Sequence, residues 1–485
     1  MAKFQFFSKI KSLIYRNEFT SGIFYFSIAK YSGVVFQFFT VLILARLLTP
    51  KDFGIFTIMM VFLDFFQLIV IMGIGPAIVQ YRNLSEYDIK NLYAVTYYLG
   101  IIVCLLIFAA SPIIGRFYQS ESIKTMLQLS TLHVFFSMIN TVPGALASKN
   151  KDFKFISIRT FVIQVLTGIF SIVAALLNCG IYSLVISLIF SSIMLFAVTI
   201  KKYPVPFSWK FNFSSVKIIC RFSVFQILFN VCNMLYRRMD KLLLGKFVDL
   251  STFGCYGKSL NLVQMPVDNI VHVITPVLHP VLAEHQKDEG YIYAAYIKLV
   301  RVVSSFSFLL SIFIFSSSRE IILVLYGKKW VDAIPFFRTF SLLVGILVVQ
   351  SLVGAIFQSK DRTDSLFKCA VLSLITSIVF YTVGIKFYSI HAFANIVVVS
   401  SYVIFFIYHV ILFKEVFHKN ILLFINALLP AIIFAIGIGV IYCLLDYFFF
   451  VDNVYVSLFN KLFLFLLCCY LVYRISKHYN LVKKI

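Results

Sequence analysis

Apolar runs of about 20 residues, the length a helix needs to cross roughly 30 Å of hydrocarbon, recur from one end of this chain to the other. Stretches such as "SIVAALLNCGIYSLVISLIF" are apolar on every face, which rules out the alternating pattern of a transmembrane β-barrel. Of the 485 residues, 61% are hydrophobic and 13% are charged, against roughly 45 to 50% and 25% in soluble domains. A soluble core could not hide that much apolar surface. The expected fold class is an all-α polytopic membrane protein.

Loop signals divide the chain into about fourteen spans. They start near residues 20, 53, 88, 121, 155, 180, 216, 253, 291, 333, 365, 388, 420 and 453. Spans one to six (20–200) and seven to twelve (216–410) each make a lobe, joined by a linker at 201–215; two further spans and a basic tail fill 411–485. Connections stay under about fifteen residues, leaving no room for an extramembrane domain. The longest outer loop is read as "SSSREIILVLYGKKW". Residues 1–19 mix Lys3, Lys9, Lys11 and Arg16 with aromatics and lack a small-residue cleavage site. They read as an amphipathic segment on the cytoplasmic membrane surface, with a disordered tail as the other reading, and not as a secretory signal. The nine cysteines show no CxxC or metal-ligand spacing and read as small hydrophobes.

Cytoplasmic loops of membrane proteins keep an excess of Lys and Arg. The heaviest basic stretches are "KNKDFKF", "KKYPVPFSWKF" and "RISKHYNLVKKI", all on one side if the amino terminus is inside. Both termini and the linker are therefore expected in the cytoplasm. The formal charge of +23 is then mostly a topology signal, with some attraction to anionic lipid headgroups, and nucleic acid is excluded as a partner.

One corner is written twice. "LILARLLTPKDFGIF" from Leu42 and "LLLGKFVDLSTFGCY" from Leu242 align at an offset of 200: Leu44 with Leu244, Arg46 with Lys246, Phe53 with Phe253, Gly54 with Gly254, Phe56 with Tyr256. The register continues to Ile74 and Pro76 against Ile274 and Pro276. Further on, "PGALASKNKDF" after span four echoes "VGAIFQSKDRT" after span ten. Spans one and seven are six crossings apart, so the lobes have the same orientation. Parallel repeats of this kind build transporters with the substrate route between the halves.

The segment "LARLLTPKDFGIFTIMMVFLDFFQLIVIMGIGPAIVQ" carries Ala45-Arg46-Leu47-Leu48 with Pro50, then Asp52-Phe53-Gly54, Gly73-Ile74-Gly75 and Gln80. It resembles the amino-terminal signature of polysaccharide flippases, the Wzx-type members of the multidrug/oligosaccharidyl-lipid/polysaccharide exporter superfamily. The resemblance weakens along the first twelve spans. It implies a V-shaped two-lobe bundle that moves undecaprenyl-pyrophosphate-linked sugar repeat units from the inner to the outer leaflet of a bacterial inner membrane. Its implied partners are the lipid-linked oligosaccharide, membrane lipids, a polysaccharide polymerase and a chain-length regulator.

Ionisable residues inside a span are costly and normally face a cavity or a partner. The basic candidates for an anionic headgroup are Lys30, Arg301, Arg237, Arg238 and Lys258. Lys30 and Arg301 lie about ten residues from a cytoplasmic end, some 15 Å deep at 1.5 Å per residue, and the other three lie nearer the outer face. Arg can grip phosphate oxygens with its planar fork. The competing reading of Arg237, Arg238 and Lys258 is that they neutralise Asp240 or snorkel outward. Asp240, three residues after Arg237, is placed for an internal ion pair. Asp64 and Asp268 have no basic neighbour within their own helix turn and are, with Asp240, the candidates for a coupling proton or sodium ion. His272 and His279 share a face and read as packed or interfacial residues or as a functional pair. No catalytic set, resident cofactor or metal site is expected. Other readings are the same scaffold carrying a drug or the peptidoglycan lipid precursor, or a membrane-embedded polysaccharide polymerase or ligase. The short outer loops and predominantly basic buried charge weigh against these.

Overall fold

The computed structural model describes the backbone of residues 18–478 except 71–73, 81–83, 208–230, 285, 287, 361, 387–388 and 449–452, and the side chains of these residues except 18–30, 67–70, 76–77, 80, 272–273, 275–284, 363 and 475–478. The amino-terminal segment expected at 1–19, most of the linker, the start of span seven and the side chains of Lys30, His272 and His279 thus lie outside the described residues. Contacts divide the chain into two units, Met1–Val231 and Cys232–Ile485.

The first unit contains α1 (Glu18–Leu47), α2 (Pro50–Val70), α3 (Ile74–Gln80), α4 (Glu86–Phe117), α5 (Glu121–Ile139), α6 (Thr141–Lys149), α7 (Phe153–Leu176) and α8 (Tyr182–Lys202). The second contains α9 (231–247), α10 (Leu250–Glu284), α11 (Glu289–Ser316), α12 (Ser318–Leu325), a 3-10 turn (Lys328–Ala333), α13 (Ile334–Ser341), α14 (Leu343–Ser359), α15 (Thr363–Ile385), α16 (Ile390–Glu415), α17 (Leu422–Phe448) and α18 (Val454–His478). The chain is an all-α, multi-pass membrane protein: among the described residues nine helices are long and apolar enough to cross a membrane, ten if one bent pair counts as a single span. Every expected span except the seventh begins close to the start of a described helix.

The repeated corner is visible in both units, with its capping chemistry exchanged. In the first, the Thr49 N–H and hydroxyl both donate to Asp52 Oδ2, at 2.9 and 2.7 Å, and the Asp52 N–H donates back to Thr49 Oγ1 at 3.3 Å. In the second, Asp249 Oδ1 accepts from the N–H groups of Ser251 and Thr252 at 3.0 and 2.9 Å. Cap and third-turn residue have traded places between Thr49/Asp52 and Asp249/Thr252, and either order satisfies the otherwise unpaired N–H groups of a helix start. Burial alone would push the Asp249 carboxyl up, but hydrogen bonds from Thr252 and Ser251 outweigh it and hold it below the usual carboxylate range. Phe53 and Phe253, each just inside its helix, are both buried.

Two features go beyond what the sequence suggested. The outer loop read as "SSSREIILVLYGKKW" contains α12 and leads into the 3-10 turn, because Ile322, Tyr326 and Trp330, four residues apart, all turn inward. Span ten is not one rod: α13 and α14 meet at Leu342 with a 45° bend. The cause is a set of hydroxyls inserted into the helix's own hydrogen-bond ladder. Ser311 donates to the Ser341 carbonyl at 2.7 Å, Tyr402 to the Leu342 carbonyl at 3.0 Å and Ser307 to the Gly345 carbonyl at 3.2 Å.

In hydrocarbon, helices associate by close packing and interhelical hydrogen bonds, which small residues permit. Along α1 and α7, Gln164 Nε2 donates to the Gly33 carbonyl at 3.1 Å and to Gln37 Oε1 at 3.0 Å, an approach that a side chain at 33 would obstruct. Gly115 is tighter: a Cβ there would lie 2.8 Å from Lys124 Cβ, 3.4 Å from the Ser120 carbonyl oxygen and 3.6 Å from Lys124 Cα. These are backbone-anchored atoms that no rotamer change can move. Gly115→Ala should therefore destabilise the α4–α5 pair by about 1–3 kcal/mol through overpacking. Gly354→Ala, in a helix with nothing within 4 Å of the added atom, should be neutral or stabilising by up to about 1 kcal/mol. Thermal unfolding of the purified variants checks the contrast.

Candidate functional site

In the second unit α9, α10 and α11 place a set of charged side chains inside otherwise apolar helices, and the structure sorts them into two groups. Asp240, Lys241 and Lys258 are buried. Asp240 accepts a hydrogen bond from the Tyr256 hydroxyl at 2.8 Å, and Lys241 donates to Asn261 Oδ1 at 3.4 Å. The Lys258 ammonium lies 5.3 Å from the centre of the Tyr326 ring, within cation–π range. Tyr256 is itself fully buried in an aromatic set, edge-on to Phe336 and Phe340 at 6.0 and 5.0 Å.

The second group is exposed. Arg237 donates from Nε to Asn233 Oδ1 at 3.2 Å, one turn back on its own helix. The ion pair expected between Arg237 and Asp240 is thus replaced by two separate hydrogen bonds, because the α9–α10 corner brings the Tyr256 hydroxyl onto the carboxylate. Asp268, near the middle of α10, is exposed and accepts from Gln264 Nε2 at 3.0 Å. Arg301, near the middle of α11, is exposed, and its carbonyl accepts from the Ser305 hydroxyl at 2.8 Å. Among the described residues no carboxylate lies within ion-pair distance of Arg301. Arg238 and, in the first unit, Asp64 are half-buried.

The candidates drawn from the sequence leave out polar and charged residues that the structure brings together. In the first unit these are Gln37 and Gln164, and Arg159, whose guanidinium donates to Thr199 and stands 5.4 Å over the Phe155 ring. In the second they are Lys461, Glu320 and Asp446. The available signal for the last group was Lys461 itself, a lone cation well inside the apolar run that follows Val454. No group of His, Cys, Asp and Glu able to hold a metal ion occurs among the described residues.

Residues 43–335 match the family described as polysaccharide biosynthesis protein, more than half of the chain. The chain belongs to that family. Among its relatives, the teichuronic acid biosynthesis protein TuaB of Bacillus subtilis is 26% identical over 308 residues, 62% of this chain and 63% of TuaB. The lipopolysaccharide biosynthesis protein WzxC of Escherichia coli is 23% identical over 67% of each chain. The aligned part of this family member thus spans just under two thirds of the length of TuaB. Its fold is that of the lipid II flippase MurJ in an inward closed conformation, with a TM-score of 0.71 at 14% identity over 93% of this chain and 98% of MurJ. A multidrug resistance MATE transporter of the MOP superfamily shares it less closely, with a TM-score of 0.59 at 13% identity over 77% and 92%. The resemblance drawn from Ala45 to Gln80 thus lies within the stretch that matches the polysaccharide biosynthesis family.

In this family member the Asp240–Tyr256 contact is a buried charge-assisted bond between α9 and α10 that the removal of a single atom abolishes. Tyr256→Phe should destabilise the protein by about 1–3 kcal/mol, since it leaves a buried carboxylate without its donor. Removing both partners, in Tyr256→Phe with Asp240→Leu, should cost less than the single change. Melting temperatures of the purified variants distinguish the two.

Proposed function

We propose that the chain is a secondary transporter, not an enzyme, that flips undecaprenyl-pyrophosphate-linked oligosaccharide repeat units from the inner to the outer leaflet of a bacterial inner membrane by alternating access. The observation that carries the reading is Arg301: a permanently charged side chain near the midpoint of a membrane span, exposed, and with no carboxylate partner among the described residues. Such a residue is tolerated where it faces a water-filled path or an anionic ligand. A pyrophosphate headgroup is such a ligand, and a guanidinium grips its oxygens two at a time. The names of TuaB and WzxC support a surface-polysaccharide substrate, as does the transport protein ExoT for succinoglycan biosynthesis of Rhizobium meliloti, 21% identical over 315 residues.

Lys30, at similar depth in the first unit, is assigned the same role, and Arg237 and Arg238 a second contact level nearer the outer face. Lys258, buried against Tyr326, joins that level only if its helix shifts. Asp240, Asp64 and Asp268 are the carboxylates through which a proton or sodium ion would drive the cycle. Both termini and the 201–215 linker are assigned to the cytoplasm, and a polysaccharide polymerase and a chain-length regulator to the list of partners.

A charge-assisted contact contributes roughly 1.5–3 kcal/mol, so Arg301→Ala should lower surface polysaccharide about 10- to 150-fold at matched membrane levels of protein, and the Lys30→Ala, Arg301→Ala double variant further. Normal export from the double variant would remove both residues from the route. A cysteine at Lys210 should resist an impermeant reagent added to intact cells, and its labelling would reverse the topology.

A further inference from the structure

The family match ends at residue 335, far short of α17 and α18. These two helices nevertheless pack on the second unit: both lie against α11, and α18 also lies against α12. Most of α18 presents Phe459, Phe463, Leu466 and Tyr470 outward, a surface suited to lipid. One residue breaks that pattern. Lys461 is only 4% exposed, and its ammonium is met by three acceptor groups at 2.9 Å: the Ser316 carbonyl, Glu320 Oε1 and the Asp446 carboxylate. Those acceptors come from the end of α11, from α12 and from α17, so one cation joins four helices.

The surroundings are built around this contact. The Ser457 hydroxyl donates to Glu320 Oε1 at 2.9 Å, and the Tyr442 hydroxyl donates to the carbonyl of Lys461 at 3.1 Å. Glu320 Oε2 is buried with no hydrogen-bond partner among the described residues, and among those residues Lys461, shared with Asp446, is the cation that pairs with Glu320. Burial would push the Glu320 carboxyl up, but the bond from Lys461 and those from its own backbone and Ser457 hold it below its usual range. Glu320 sits on α12, which runs through the 3-10 turn into the bent pair α13 and α14. A helix pair held to lipid-like surfaces by apolar contacts can slide and rotate at little cost, whereas a buried ammonium paired with buried Glu320 and with Asp446 at the exposed edge favours one register.

We propose that Lys461, Glu320 and Asp446 form a latch through which the terminal helix pair fixes the position of α12 and of the bent pair that follows it, making α17 and α18 a working part of the transporter. Lys461 is a positioning residue: it acts on the bent span through Glu320.

The test compares Lys461→Met, which keeps the length of the side chain and removes the charge, with the exchanged variant Glu320→Lys, Lys461→Glu that also carries Asp446→Asn, so that an amide donor and not a second carboxylate faces the new Glu at 461. Hydrogen exchange on the purified full chain is followed in peptides covering 318–325 and, as a control in the other unit, 86–117. Exchange in 318–325 should rise on the order of tenfold in Lys461→Met, stay unchanged in the control, and return toward wild type in the exchanged variant. Surface polysaccharide per inserted molecule should fall and recover in parallel. Should Lys461→Met not insert, Glu320→Gln carries the same comparison. Unchanged exchange in 318–325 would show that no latch exists. Raised exchange with wild-type export would show that the contact has no part in transport. The exchange arm needs no substrate, so it stands or falls separately from the transport reading on which the export arm rests.

Discussion

Hydrocarbon neither donates nor accepts hydrogen bonds, so backbone groups within it find their partners inside the chain, and the helix ends that border it are closed in the same way. That constraint shapes each connection described above. The turn after α4 closes with the Ser120 N–H donating to the Gly115 carbonyl and the Gln119 N–H to the Arg116 carbonyl, with Gln119 at φ 50°. The turns after α6 and α7 repeat this double closure around Lys151 at φ 54° and Asn178 at φ 61°. This is the paired C-terminal closure that usually recruits glycine at the left-handed position. Here three ordinary residues take the position, because the two bonds each turn makes outweigh a local strain of about 1–2 kcal/mol.

Helix starts obey the same rule, and there the two units answer it in mirrored chemistry. Thr49 and Asp52 trade roles with Asp249 and Thr252. A second exchange occurs where the fifth expected span of each lobe begins and the sixth ends. In the first unit Asp152, at the start of α7, binds Lys202 and Tyr203 at the end of α8. In the second, Arg362 and Lys368, at the start of α15, bind Glu415 at the end of α16. The acid and the base have changed sides. What recurs is thus a requirement, that these two helix ends be tied together by charge, and the residues meeting it are interchangeable. Exposed pairs of this kind contribute little to stability, about 0–1 kcal/mol each, but they select which ends meet.

Most of the fold was legible because the membrane imposes it. Apolar length locates the helices, and the 200-residue offset from Leu44/Leu244 to Phe53/Phe253 locates the repeat. The misses share a cause: they depend on which side chains meet across space. Ser311 and Tyr402 lie well away in sequence from the carbonyls of 341 and 342 that they capture, and nothing local to "RTFSLLVGI" foretells the bend. Tyr256 was read as the counterpart of Phe56, and its hydroxyl, the one atom by which they differ, is what claims Asp240 from Arg237. Glu320 and Lys461 are 141 residues apart, beyond any local pattern.

These contacts also divide the intramembrane charges by purpose. A buried charge tied to fixed partners is held in place: Lys461 with three acceptor groups and Asp240 with the Tyr256 hydroxyl link neighbouring helices. A charge exposed in the middle of a span, as at Arg301, leaves its guanidinium hydrogens to whatever reaches it. A ligand can gain differential binding between two conformations only from groups that are not already satisfied in both. On the proposed function, the fixed charges would define the bodies that move, and the exposed ones would be where an anionic headgroup biases the movement.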